Sequence, residues 1–201
     1  LGPSSLSHGY SASGQSEAVD KIIKSLWTTK KTSIQLISFE GHYFGPGSFC
    51  SRSISNNCDS YFPVKYFKHP NESNHESLII EIENYIKTNK TLAVFIEPTR
   101  QKYMDKVPIN FLNELRRITS KHDAAMVLNE TASKFGAYSK TFYASNEMEN
   151  SPDALMAYYG GQFSIVNMSK RFFIDTPLML ISTWDGDEFS LCHAINEVNK
   201  Y

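Results

Sequence analysis

Long apolar runs, a surplus of charge of one sign and paired cysteines are all missing from this sequence. The longest apolar stretches, such as Pro177-Leu-Met-Leu-Ile181, are far too short to span a bilayer. Lysine and arginine total 20 against 21 aspartates and glutamates, so nothing electrostatic draws the chain to nucleic acid or an anionic membrane. Three cysteines, Cys50, Cys58 and Cys192, are an odd number without metal-ligand spacing, which fits reduced thiols in a cytoplasmic protein better than a disulfide framework or a metal site. No basic-then-apolar signal segment, internal repeat or low-complexity tract is present. The chain also lacks an initiator Met, as expected of a piece of a longer protein.

What is present is enough apolar residue for one substantial core, so residues 1–201 are expected to form a single domain. Leu1 to Gly14 reads as a Gly/Ser-rich loop, and Gln15 or Ser16 opens a helix to about Trp27. Ser33 to Phe39 reads as a strand, followed by an aromatic turn and some thirty irregular residues with a short strand at Val64 to Phe67. Helices are predicted over Glu76–Thr88, from Pro108 to about His122, and from Glu188 to the end. Further strands are predicted at Leu92–Ile96, from Ala124, and at Ala154–Tyr158, Phe163–Val166 and Leu178–Ser182. Such alternation argues an α/β fold, a mostly parallel sheet sandwiched by helices.

The stretch Ala124-Ala-Met-Val-Leu-Asn-Glu-Thr131 is an apolar run that ends in polar residues. A buried parallel strand of that kind delivers polar groups into the crevice at its carboxyl end. Other stretches admit two readings each. Ser13-Gly14-Gln15-Ser16 is either a phosphate cradle at a helix N-terminus or an ordinary capped helix entry. Tyr43 and Phe44 either stack on a planar ligand or plug the edge of the core. Glu97-Pro98 either places a carboxylate in the crevice or simply ends a strand, and Thr183-Trp-Asp-Gly-Asp187 either offers a hydroxyl to an anion or opens a helix.

The order of these segments resembles the large domain of the class III, fold-type I, pyridoxal-phosphate-dependent aminotransferases, most closely those of the lysine 6-aminotransferase type. Gly14-Gln-Ser-Glu-Ala-Val19 is similar to the family's phosphate-binding turn, with Gly14, Gln15 and Ser16 at the cofactor. Phe39-Glu-Gly-His-Tyr-Phe-Gly45 resembles its Gly-aromatic-His-Gly segment, with Tyr43 as the ring-stacking aromatic and Phe44 in place of the His. Phe95-Ile-Glu97-Pro98 and Ser151-Pro-Asp-Ala154 resemble the strand-ending Glu-Pro and the Pro-Asp that precedes the family's lysine strand. Ser182-Thr183-Trp-Asp-Gly186 is similar to a segment whose Thr binds the cofactor phosphate of the neighbouring subunit. The resemblance implies pyridoxal phosphate as cofactor and a homodimer, or an intramolecular domain partner. It also implies that the family's N-terminal segment and small C-terminal domain lie outside residues 1–201.

The pattern breaks at the chemistry. The family's Asp-Glu-Val-Gln becomes Asn129-Glu130-Thr131-Ala132 here. Asn129 replaces the carboxylate that keeps the pyridine nitrogen protonated, an ionic hydrogen bond of roughly 1.5–3 kcal/mol. Ala132 replaces the Gln that bonds the ring hydroxyl, and Tyr159 stands where the resemblance puts the Schiff-base lysine. A phenol cannot form that imine. The family's Gly-Glu-Gly-Gly after Glu-Pro becomes Thr99-Arg-Gln-Lys-Tyr103, while Lys134 and Lys170 lie in loops. Three readings follow: a degenerate domain with a structural or dimerising role; an active transaminase with its lysine elsewhere; a binder of pyridoxamine phosphate or another phosphate ligand without a Schiff base. The residues favour the first.

Overall fold

Mostly apolar runs make β4 and β5 the centre of the fold. In the computed structural model, residues 3–31, 35–56 and 62–201 are described. In chain order they form β1 (His8–Ala12), α1 (Gln15–Lys30), β2 (Gln35–Phe39), α2 (Phe49–Ile54), β3 (Val64–Phe67), α3 (His75–Thr88), β4 (Thr91–Ile96), α4 (Ile109–Lys121), β5 (Ala125–Asn129), β6 (Ala154–Gly160), β7 (Phe163–Met168) and α5 (Glu188–Lys200). The seven strands lie in the order β1-β7-β6-β5-β4-β2-β3. Pairs from β3 through β6 are parallel, and β7 and β1 add an antiparallel edge.

Every residue of β4 and β5 is buried, as a parallel strand covered on both faces requires. Alternate side chains sort to the two faces. Ala93, Phe95 and Val127 meet Ala18, Val19, Ile22 and Leu26 of α1, while Val94, Ile96 and Leu128 meet Leu112 and Leu115 of α4 and Ile82 of α3. From β2 the chain steps outward to β3, and from β4 it steps the other way to β5 and β6. The carboxyl ends of β2, β4 and β5 thus flank a topological switch point, where open α/β sheets form a crevice.

Three sequence expectations need correction. Residues 8–12 are not loop but the edge strand β1. It was illegible because only Ala12 of His-Gly-Tyr-Ser-Ala is buried, so no apolar alternation marks it. Within the stretch read as irregular, Phe49–Ile54 is a helix, nucleated by a Ser48–Ser51 capping box and burying Ser51, Ser53 and Ile54 instead of an apolar stripe. Residues 178–182 are not a strand: the chain turns there, Leu178 has φ +64°, and its side chain is exposed. The first two residues of the predicted strand from Ser33 lie outside the described residues.

Candidate functional site

The polar residue that ends β5 does not reach outward. Asn129 is fully buried; its Nδ2 donates to the Tyr43 carbonyl at 2.8 Å, and its Oδ1 accepts from Thr131 Oγ1 at 2.6 Å and the Thr131 N–H at 3.1 Å. A primary amide has two N–H donors, so this geometry leaves one unspent. Thr131 Oγ1 in turn accepts from Gln15 Nε2 at 3.0 Å and the Tyr158 N–H at 3.1 Å. Gln15 Nε2 also donates to Gln101 Oε1 at 2.9 Å, and Gln101 Nε2 donates to Glu97 Oε1 at 2.9 Å. Glu97 Oε2 accepts the Tyr43 N–H at 2.8 Å, which returns the network to the loop where it began.

Gln15, Tyr43, Glu97, Asn129 and Thr131 are thus brought together, and they bond chiefly to one another. Burial pushes Glu97 up to about 7, opposed by the Tyr43 and Gln101 hydrogen bonds. Beside it His42 is buried, its Nδ1 accepting the Glu97 N–H at 2.9 Å and its Nε2 lying 3.0 Å from His69 Nδ1. Burial, with the neighbouring His69 and Arg100, holds His42 well below the usual imidazole range. Phe44 takes the core-plugging role, edge-on to Phe95 at 5.7 Å.

Gly14 is the N-cap of α1, in extended conformation and without a side-chain cap. The Ser13 N–H donates to Glu17 at 2.6 Å and the Ser13 hydroxyl bonds the same carboxylate oxygen, so the helix entrance already faces an anion of its own chain. The loop after β2 closes over the first turn. Gly47 N–H donates to Ser16 Oγ at 2.7 Å, and Gly45, at φ +102°, sits so near that an added Cβ would lie 2.8 Å from the Ser16 nitrogen. An open crevice of about 490 Å³ remains beside this turn, walled by Gly14, Ser16, Glu17, Tyr43, Ser48 and Tyr158 among others. Its charged lining residues, Glu17 and Asp20, are both acidic.

Tyr159 points away from this network. It belongs to the core on the α4 side of the sheet, with its hydroxyl bonded to that of Tyr143 and its ring 5.9 Å from both Phe135 and Phe163. Burial pushes both phenols up, so neither ionises near neutrality. Ala132 is half-buried and offers no polar side-chain atom. The Lys134 ammonium donates to the Thr131 carbonyl at 2.6 Å and lies 5.7 Å from the Tyr159 ring centre; burial lowers its pKa. Thr183 is exposed and joins none of these groups, although Asp185 ties its segment to α1 through Lys21 at 2.6 Å.

These groups do not fit a lysine-linked pyridoxal phosphate. Position 159 has no amine and faces the core, the Asn129 oxygen is already taken, and the α1 turn, where the resemblance puts the phosphate, is lined by carboxylates and roofed by the chain's own loop. The arrangement holds and aligns loops; among the described residues lining the crevice there is no lysine. Residue reasoning missed Gln101, Tyr158 and Gly45. Gln101 was legible only in its spacing, four residues after the buried Glu97, which lets both its backbone and side-chain N–H groups reach one carboxylate oxygen.

No protein-family profile and no curated protein sequence matches this chain. Solved structures do. An (S)-enantioselective omega-transaminase from Thermomicrobium roseum superposes over 100% of this chain and 52% of its own, at TM-score 0.82 and 18% identity. A transaminase from a marine Virgibacillus gives 0.84 and 17%, over 100% and 51% of the two chains. The taurine:2-oxoglutarate aminotransferase of Bifidobacterium kashiwanohense, solved with pyridoxal phosphate and glutamate, gives 0.79 and 15%, over 96% and 50%. This chain therefore spans about half the length of the transaminases it resembles, and over that half it has the fold of the pyridoxal-phosphate-dependent aminotransferases.

Proposed function

We propose that this chain is a degenerate class III aminotransferase-like domain, without Schiff-base chemistry, that serves a structural and dimerising role in a cytoplasmic protein. The observation that carries the reading is Tyr159. The resemblance assigns its position to the lysine, and its hydroxyl is spent on Tyr143 within the core. The closed Asn129–Thr131–Gln15–Gln101–Glu97–Tyr43 network supports it, because a scaffold gains from internally paired polar groups whereas a cofactor site needs them free.

A run of exposed apolar side chains supports the dimerising part. Leu178, Ile181, Trp184 and Phe189 are 66–89% exposed and lie on the connection into α5 and its first turn. Exposed apolar side chains clustered in this way mark contact surfaces. Two measurements on the full-length protein test the proposal. Added pyridoxal phosphate should produce no imine absorbance band, and sedimentation equilibrium should give a dimer that Trp184→Glu with Phe189→Glu converts to monomer. An imine band would overturn the loss of chemistry, and a dimer indifferent to the double substitution would overturn the interface.

A further inference from the structure

A second cavity lies on the flank of α1, beside the crevice. Its volume is about 370 Å³, within the range of small-ligand pockets, and Ile23, Trp27, Leu36, Phe62 and Leu92 supply its apolar wall. Asp20 stands where this cavity and the crevice adjoin, and it lines both. Its carboxylate accepts from Ser48 Oγ at 2.8 Å and from the Cys50 thiol, and it feels Glu17 as a like charge.

No cation answers it among the described residues. Lys21, one position along α1, is paired with Asp185 at 2.6 Å and with the Ser11 carbonyl at 2.8 Å. Lys24, which borders the same cavity, turns its ammonium to the Met179 carbonyl at 2.7 Å. A partly desolvated carboxylate with only a hydroxyl and a thiol for company carries an uncompensated charge. Beside it is a solvent-open space whose wall is mostly hydrocarbon.

From this juxtaposition we propose that the cavity binds a small primary amine with an apolar body, its ammonium on Asp20 and its hydrocarbon against Ile23, Trp27 and Leu92. The ammonium supplies the missing positive charge, and three N–H donors suit a carboxylate that already has one hydroxyl partner. A neutral ligand of the same shape would fill the wall yet leave the charge unanswered. The site is independent of whether the neighbouring crevice retains any cofactor.

Isothermal titration of the full-length protein with 2-phenylethylamine and with 2-phenylethanol tests this. The amine should bind at least about tenfold more tightly than the alcohol, the size of one charge-assisted hydrogen bond. Asp20→Asn should bring the amine down to the alcohol's affinity while leaving the alcohol unchanged. Ile23→Trp, which fills the cavity from the half-buried flank of α1, should abolish binding of both, with an unchanged circular dichroism spectrum. Equal affinity for amine and alcohol, an amine that ignores Asp20→Asn, or no binding of either probe would each overturn the proposal.

Discussion

The two ends of the switch-point region have solved the same problem in opposite ways. At the carboxyl ends of β4 and β5, polar side chains remain polar and satisfy one another: Asn129 with Tyr43 and Thr131, Gln101 with Gln15 and Glu97. At the end of β6 the side chains are core, and Tyr159 is held among Tyr143, Phe135 and Phe163. The first end is a set of polar groups pointed inward at one another. The second buries its hydroxyl among aromatic rings. Under the proposed function, a fold keeps the segments that aim functional side chains after those side chains have turned to structural work.

The contrast can be broken by substitution, and Tyr159 should give the largest effect. If it is a core residue, Tyr159→Ala should cost about 3–5 kcal/mol in urea unfolding, because it opens a cavity and orphans the Tyr143 hydroxyl. A loss under about 1 kcal/mol would return Tyr159 to a surface or site role. At the polar end, Glu97 sharpens the comparison through pH. Its pKa rises from 4.5 to about 7, so the folded state holds more protons than the unfolded state within that window. Stability from Glu97 is therefore present at low pH and falls as pH rises from about 4.5 to about 7, by roughly 1 kcal/mol per pH unit.

His42 and His69 titrate in the opposite sense, since burial lowers both, His69 to about 4. Their neutral forms stabilise the fold above about 6.5, and that contribution falls on acidification. The informative quantity is hence the stability of the native protein minus that of Glu97→Gln, measured at pH 5 and pH 7.5. That difference should be smaller at pH 7.5; a difference constant with pH would mean that Glu97 is ionised throughout. A smaller effect is expected of Asn129→Ala, about 1–2 kcal/mol, because the Tyr43 carbonyl and the Thr131 N–H lose their partner at the edge of an open crevice. A neutral outcome there would break the claim that the network holds the loops.

What the sequence revealed followed from burial. β4 and β5 read correctly because both faces are covered and nearly every residue is apolar, and α4 because its apolar stripe repeats at helical spacing. β1 and α2 did not, because an edge strand and a serine-rich capped helix hide little apolar surface. The strand expected at residues 178–182 failed for the converse reason: Leu178 and Ile181 are apolar yet exposed, and period alone cannot distinguish core from contact surface. At the candidate site, the phenol at 159 and the amide at 129, which the resemblance sets against a lysine and an aspartate, were legible residue by residue. Their present partners were not. Tyr143 and the Tyr43 carbonyl reach them only through loop geometry, which a linear pattern does not encode.

The central claim is that no side chain here takes the place of the missing lysine amine. Incubating the full-length protein with one equivalent of pyridoxal phosphate, reducing with borohydride and mapping peptides by mass spectrometry tests it most directly. The account predicts no stoichiometric pyridoxyl adduct on any lysine, including Lys134 beside the Tyr159 ring. A single lysine labelled to near completion would contradict it.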